Sequence, residues 1–204
     1  MDAEFVKDLI KKATRDSLAH GFKGREHPSF KFLTQAACEV GEAVDAYKRN
    51  RRADVRGYKR ALNTIKTLNE KGPIVIARTK DAYDVYVKDT VQDELSDVYI
   101  YLLVMAGHFL KPEDFDNLDF EEIYTKAEMK KRLLEDTFIS VAGYVMRDIL
   151  TMCVTARNVA SMLAFLELWT KLGGFGDLPE YVKLKMEYNR TRPYLHGIKG
   201  DPTA

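Results

Sequence analysis

Apolar residues recur at helical spacing along most of this chain. Between residues 1 and 20, Phe5, Leu9, Ile10, Ala13 and Leu18 share one side of a helix. Over residues 30–47 a second stripe runs through Phe32, Ala36, Val40, Ala43 and Tyr47. The third pattern is different in kind. From Val98 to Leu110 there is no Asp, Glu, Lys or Arg. Thr90 with Asp93 three positions on has the form of a capping box, which predicts a helix over 91–110. A helix apolar on nearly every side is a buried helix. Lys111-Pro112 ends it. Residues 120–134 predict a further helix with its charges outward. Residues 138–172 are mostly apolar and predict one long or two shorter buried helices, with Gly143 and Thr151 as candidate interruptions. Gly173, Gly174 and Gly176 mark a loop, and Pro179 suits the first turn of a last helix that stops at Pro193. The tail after His196 is expected to be loose.

Two stretches break the helical pattern. Residues 21–28, with Gly21, Gly24 and Pro28, read as a loop holding His27, Lys23 and Arg25 next to His20. Residues 51–88 read as an insertion on the helical scaffold. Its first part is basic, with Arg51, Arg52, Arg56, Lys59 and Arg60 following Arg49, and a helix to about residue 69 is compatible with it. Gly72-Pro73 then breaks the pattern. The β-branched run Ile74-Val75-Ile76 favours extended chain, so 74–77 and 81–87 are expected as two short strands or an irregular excursion. The basic run is either a solvated face or an attractor for a polyphosphate. The fold class expected is all-α: one helical domain over residues 1–204, with an insertion at 51–88.

Composition narrows the class without changing it. The 204 residues fit one domain, 46% are apolar and 31% charged, as in a globular domain. The formal net charge of +1 shows no bulk field for polymeric nucleic acid or an anionic membrane. The apolar run at 98–110 is too short to span a bilayer, and 138–169 is broken by Arg147, Asp148, Arg157 and Glu167. Cys38 and Cys153 lack metal spacing and read as reduced core thiols, which with a charged N-terminus devoid of a signal-peptide core suggests a cytoplasmic protein. The breadth of apolar surface in 138–172 suggests a subunit interface.

The chemistry lies in carboxylates. The first turn of the buried 91–110 helix carries Glu94 and Asp97, beside Val98 and Met105 and beside Tyr101 and Val104 respectively on a wheel of about 100° per residue. A buried carboxylate costs several kcal/mol unless it is paired or bound to a metal. The 30–47 helix carries Glu39 at the edge of its apolar stripe and Glu42 about 60° further round. If the two helices pack antiparallel, four carboxylates converge, and an all-oxygen site suits Mg²⁺ or Mn²⁺. The other reading is a pair of buried acids salt-bridged to a cation from another helix. On the last helix Lys185, Asn189 and Arg192 share a face, either solvated or arranged for phosphate. The four histidines, His20, His27, His108 and His196, lack the partner pattern of a nucleophile triad, and the glycines near Gly173 lack the Lys-Ser/Thr of a P-loop.

These residues resemble a known superfamily, the MazG-like all-α NTP pyrophosphohydrolases. Cys38-Glu39-Val-Gly-Glu42-Ala is similar to its first acidic motif, E-x-x-E. Asp93-Glu94-Leu-Ser-Asp97 followed by the apolar helix is similar to its second, E-x-x-D. The segment from Lys185 through Asn189 and Arg192 to His196-Gly197 is similar to its C-terminal segment. The resemblance covers roughly residues 30–50, 88–110 and 182–197. It implies a dimeric or tetrameric helical bundle, and Mg²⁺ held by Glu39, Glu42, Glu94 and Asp97. The activity implied is hydrolysis of a nucleoside triphosphate to the monophosphate and pyrophosphate, with Lys185, Asn189 and Arg192 on phosphates. The chain departs from the pattern at Cys38, where many members have a Glu, and in the 51 residues separating Glu42 from Glu94. Three other readings stay open: a phosphoribosyl-ATP pyrophosphohydrolase, a non-catalytic Mg²⁺/nucleotide-binding protein, and a helical interaction module with salt-bridged acids.

Overall fold

A computed structural model of the chain describes residues 2–21, 28–68, 72–129 and 136–192. Every regular element among the described residues is helical. We number the α-helices α1 (Ala3–Ala19), α2 (Ser29–Lys48), α3 (Val55–Thr67), α4 (Pro73–Tyr86), α5 (Val91–Phe109), α6 (Phe120–Met129), α7 (Phe138–Thr151), α8 (Ala156–Leu172) and α9 (Leu178–Arg190), with a 3₁₀ turn at Pro112–Phe115.

The predicted central helix is the axis of the molecule. Helix α5 is buried almost continuously from Val91 to Ala106, and α1, α2, α8 and α9 all pack on it. Its association with α2 is the most extensive in the fold, and the two run antiparallel. Phe32 near the start of α2 meets His108 and Phe109 near the end of α5, with ring centroids 5.8 and 6.2 Å apart. At the other end the Val91 N–H donates to the Arg51 carbonyl at 3.2 Å. The main core is continuous across α1, α2 and α5–α9.

Only half of the expected capping box forms. The Thr90 hydroxyl accepts the Asp93 N–H at 3.3 Å, but the Asp93 side chain turns back to the Asp89 N–H at 2.9 Å instead of to Thr90. Residues 138–172 form two helices. The break falls at Met152–Thr155, where Thr155 caps α8 by accepting the Asn158 N–H at 3.2 Å. Gly143 stays inside α7.

Two expectations are corrected. Residues 74–77 and 81–87 are not strands or an irregular excursion: they belong to one helix, α4, with Val87 as its C-cap. Gly72, at φ +70°, turns the chain, and Pro73 presets the first helical residue. The β-branched run is then overridden by packing, because α4 lies against α3 as a hairpin. The hairpin has its own small core of Tyr58, Ile65, Ala82, Tyr83 and Val87, completed by Tyr188 of α9. The cysteines are not core thiols either; both are free and exposed. Cys38 is two positions from both Ala36 and Val40 on α2, which puts it on the opposite face, and Cys153 lies in the α7–α8 connection.

Other expectations, on His27, Lys23, Arg25, residues 130–134, Pro193 and His196-Gly197, lie outside the described residues. Among the described residues no helix is long and apolar enough to cross a membrane.

Candidate metal centre

The antiparallel packing of α2 on α5 places Glu39 opposite the first turns of α5. Glu39, Glu94 and Asp97 each offer a carboxylate oxygen, and these oxygens lie within 4.8 Å of one another. Glu94 is 7% exposed, and Glu39 and Asp97 are partly buried. Glu42 is outside this group. It is exposed, and it lines a neighbouring cavity of about 300 Å³ that Glu94, Arg49 and Arg51 also border. On α2 one turn separates a carboxylate facing α5 from one at the rim.

Burial and mutual repulsion make the three carboxylates reluctant to ionise. The Glu39 carboxyl is pushed up to about 7 by burial and then by the charges of Asp97 and Glu42. Glu94 is pushed up to about 8 by burial and then by Asp93. Burial also raises Asp97, while Lys185 pulls it back down. Carboxylates in this condition take up either protons or a cation.

Lys185, expected on phosphate, lies buried against two of the acids. Its side chain is 6% exposed, and its ammonium donates to Asp93 Oδ1 and pairs with Asp97 Oδ2, each at 2.7 Å. Burial works against its charge, but Asp97 and Asp93 outweigh burial and hold it protonated. Lys185 reaches Glu39 and Glu94 only through its field, since both of these contacts go to Asp93 and Asp97.

Asn189 and Arg192 do reach open space beside the acids. They line a cavity of about 430 Å³ whose wall includes Glu39 and Asp97, with Phe32, Ile100 and Val104 on its apolar side. The Asn189 Oδ1 is buried and accepts no hydrogen bond from the described residues. The charge of Arg192 helps to hold down Asp97. The basic run 49–60 is mostly spent on the protein surface. Arg49 pairs with Asp45 at 2.7 Å, Lys59 pairs with Glu180 at 2.6 Å, and the Arg52 guanidinium lies over the Phe175 ring at 4.6 Å.

A three-carboxylate, all-oxygen group facing a cavity has the donor set of a hard divalent cation. A second acidic group, Asp89, Asp93 and Glu94, shares Glu94 with the first, but Asp93 already accepts from Tyr83, Lys185 and the Asp89 N–H. In the sequence Asp93 stands out as a cap and as the residue that leads the second acidic motif, without a role of its own at the site, and Tyr83 does not stand out at all. Three acids among five residues at the start of a buried helix was the available signal for Asp93; Tyr83, on a segment read as extended, had none. No protein-family model matches this chain, and no curated protein or solved structure matches it.

Proposed function

We propose that this chain is a Mg²⁺-dependent nucleoside triphosphate pyrophosphohydrolase of the MazG-like kind, which converts an NTP or dNTP to the monophosphate and pyrophosphate and clears nucleotides from the pool. One observation carries the reading: Glu39, Glu94 and Asp97 converge from two packed helices beside a cavity. In this reading the three carboxylates hold Mg²⁺, with Mn²⁺ as a substitute, and Glu42 acts from the rim. A bound divalent cation supplies positive charge for phosphoryl oxygens and lowers the pKa of water. Asn189 and Arg192 offer an amide and a guanidinium to the substrate. One of the clustered carboxylates orients the attacking water. The water's oxygen bonds to phosphorus as its proton passes to that carboxylate, the bridging α–β P–O bond breaks, and pyrophosphate leaves. Ile139, Leu150 and Leu172 stay exposed on α7 and α8, which supports self-association as a homodimer or homotetramer.

The ion pairs of Lys185 favour a second reading, a helical module whose acids are neutralised internally. It explains Asp93 and Asp97 but leaves Glu39 and Glu94 crowded. The test is pyrophosphate release from a panel of ribo- and deoxyribonucleoside triphosphates, with Mg²⁺ and with chelator. The expected outcome is Mg²⁺-dependent release that falls about a hundredfold to a thousandfold, the scale of a lost transition-state charge partner, in Glu94→Gln and Asp97→Asn. Full activity in both variants sinks the assignment. Nucleotide binding without release supports a binding protein, and release from phosphoribosyl-ATP alone redirects the substrate.

A further inference from the structure

Asp93 stands next to the candidate metal ligands but is committed to protein donors. Its Oδ1 accepts the Tyr83 hydroxyl at 2.6 Å and the Lys185 ammonium at 2.7 Å, and its Oδ2 accepts the Asp89 N–H at 2.9 Å. Asp93 is 2% exposed and Tyr83 1%. Tyr83 belongs to α4, in the hairpin that lies between the two acidic motifs. Its ring stacks on Tyr188 of α9 at 4.3 Å and meets Tyr58 of α3 edge-on at 5.9 Å. Aromatic packing from two other helices therefore fixes where its hydroxyl points.

The ammonium held by Asp93 is the one that reaches Asp97 Oδ2 at 2.7 Å. A chain of direct contacts thus runs from the hairpin to a candidate ligand: Tyr83 to Asp93, Asp93 to Lys185, Lys185 to Asp97. Asp93 and Asp97 compete for one buried cation. The Tyr83 hydroxyl satisfies part of the demand of Asp93 at the same oxygen that Lys185 uses. Without that hydroxyl Asp93 draws harder on Lys185, and Asp97 is left less neutralised. Interactions within one buried network change together in this way.

We infer that Tyr83 and Asp93 are positioning residues: they set how firmly Lys185 neutralises Asp97, and so they set the affinity of the Glu39–Glu94–Asp97 group for a divalent cation. This rests on the metal reading above and extends it, by giving the α3–α4 hairpin a part in tuning the site.

The experiment is Mn²⁺ binding to the full chain, followed by the electron paramagnetic resonance signal of the free ion. Tyr83→Phe keeps the ring and its stacking and removes only the hydroxyl. It is expected to bind Mn²⁺ about tenfold tighter, within the range of couplings between side chains that share a network. In a Lys185→Met background the same substitution is expected to change nothing, because its route to Asp97 is gone. Tyr58→Phe, in the same aromatic cluster, is expected to bind as the unaltered chain does. The contrast between Tyr83 and Tyr58 carries the test if Lys185→Met fails to fold. Unchanged or weaker binding in Tyr83→Phe overturns the inference, as does an equal shift in both backgrounds or an equal shift in Tyr58→Phe. No Mn²⁺ binding by the unaltered chain overturns the metal reading, and the inference with it.

Discussion

Glu94 and Asp97 are one turn apart on the same buried helix, yet they differ in what neutralises them. Asp97 shares the Lys185 ammonium; Glu94 has Asp93 as a repelling neighbour and only the field of Lys185 in compensation. Their isosteric amides should therefore part company in the metal-free protein. At pH 7 Glu94→Gln removes a carboxyl that must take up a proton to be buried, and it is expected to raise the melting temperature by about 2–4 °C for each kcal/mol relieved. Asp97→Asn takes a partner from a buried ammonium and is expected to lower it. Melting curves in chelator read both, and a rise in Asp97→Asn speaks against the ion pair. The same scale separates Glu39 from Glu42. Both were legible as candidate ligands from their spacing, but three residues is 300° on a helix, and only contact with α5 decides which of them faces inward.

Close approach of two elements is visible at Gly107. A Cβ there would stand 1.9 Å from Thr14 Oγ1, 3.0 Å from Thr14 Cβ and 3.2 Å from the Ile10 side chain, so the glycine is what lets α1 lie directly on α5. Gly107→Ala is expected to destabilise the fold by about 1–3 kcal/mol, the cost of overpacking, measured by urea unfolding; no loss of stability means that α1 can shift freely. Elements with a periodic stripe, a cap or a starting proline were legible in the sequence: α1, α2, α5 and α9 lie close to where they were expected. Helix α4 was not, because a short β-branched run after Gly-Pro is locally ambiguous and its contacts with α3 and α9 settle it. The α7–α8 break was half legible: Thr155 is a good cap, but nothing local says that the chain stops being helical at Met152.

Across the whole molecule, a partly buried acid outside the candidate centre ties three helices together. Glu167 of α8 accepts the Tyr99 hydroxyl of α5 at 2.8 Å and the Tyr124 hydroxyl of α6. Its carboxyl is pushed up to about 7 by burial, against the Tyr99 hydrogen bond, which lowers it. In the unfolded chain it ionises near its ordinary value of 4.5. Between those two values the folded state holds a proton that the unfolded state has lost, so this group makes stability fall as pH rises through the interval. The limiting slope is about 1.4 kcal/mol per pH unit for one proton. Urea unfolding from pH 4.5 to 7 is expected to show a shallower decline in Glu167→Gln than in the unaltered chain; identical slopes mean that Glu167 ionises alike in both states.

By itself the sequence determined the all-α fold class, though not the helix at residues 73–86, that the helix of residues 91–109 is buried, and that Glu94 and Asp97 enter the interior with it. These follow from periodicity and composition within one segment, which local geometry converts directly into a buried face. Only the tertiary structure decided which acids meet. Glu39 joins Glu94 and Asp97 because α2 and α5 run antiparallel at one register, and Glu42 stays at the rim for the same reason. It also decided that Lys185 is bound to Asp93 and Asp97, and that residues 73–86 are a helix presenting Tyr83 to Asp93. The positions of Tyr83, Asp93 and Lys185 span more than a hundred residues of chain, and no local pattern encodes a contact made by three separate helices.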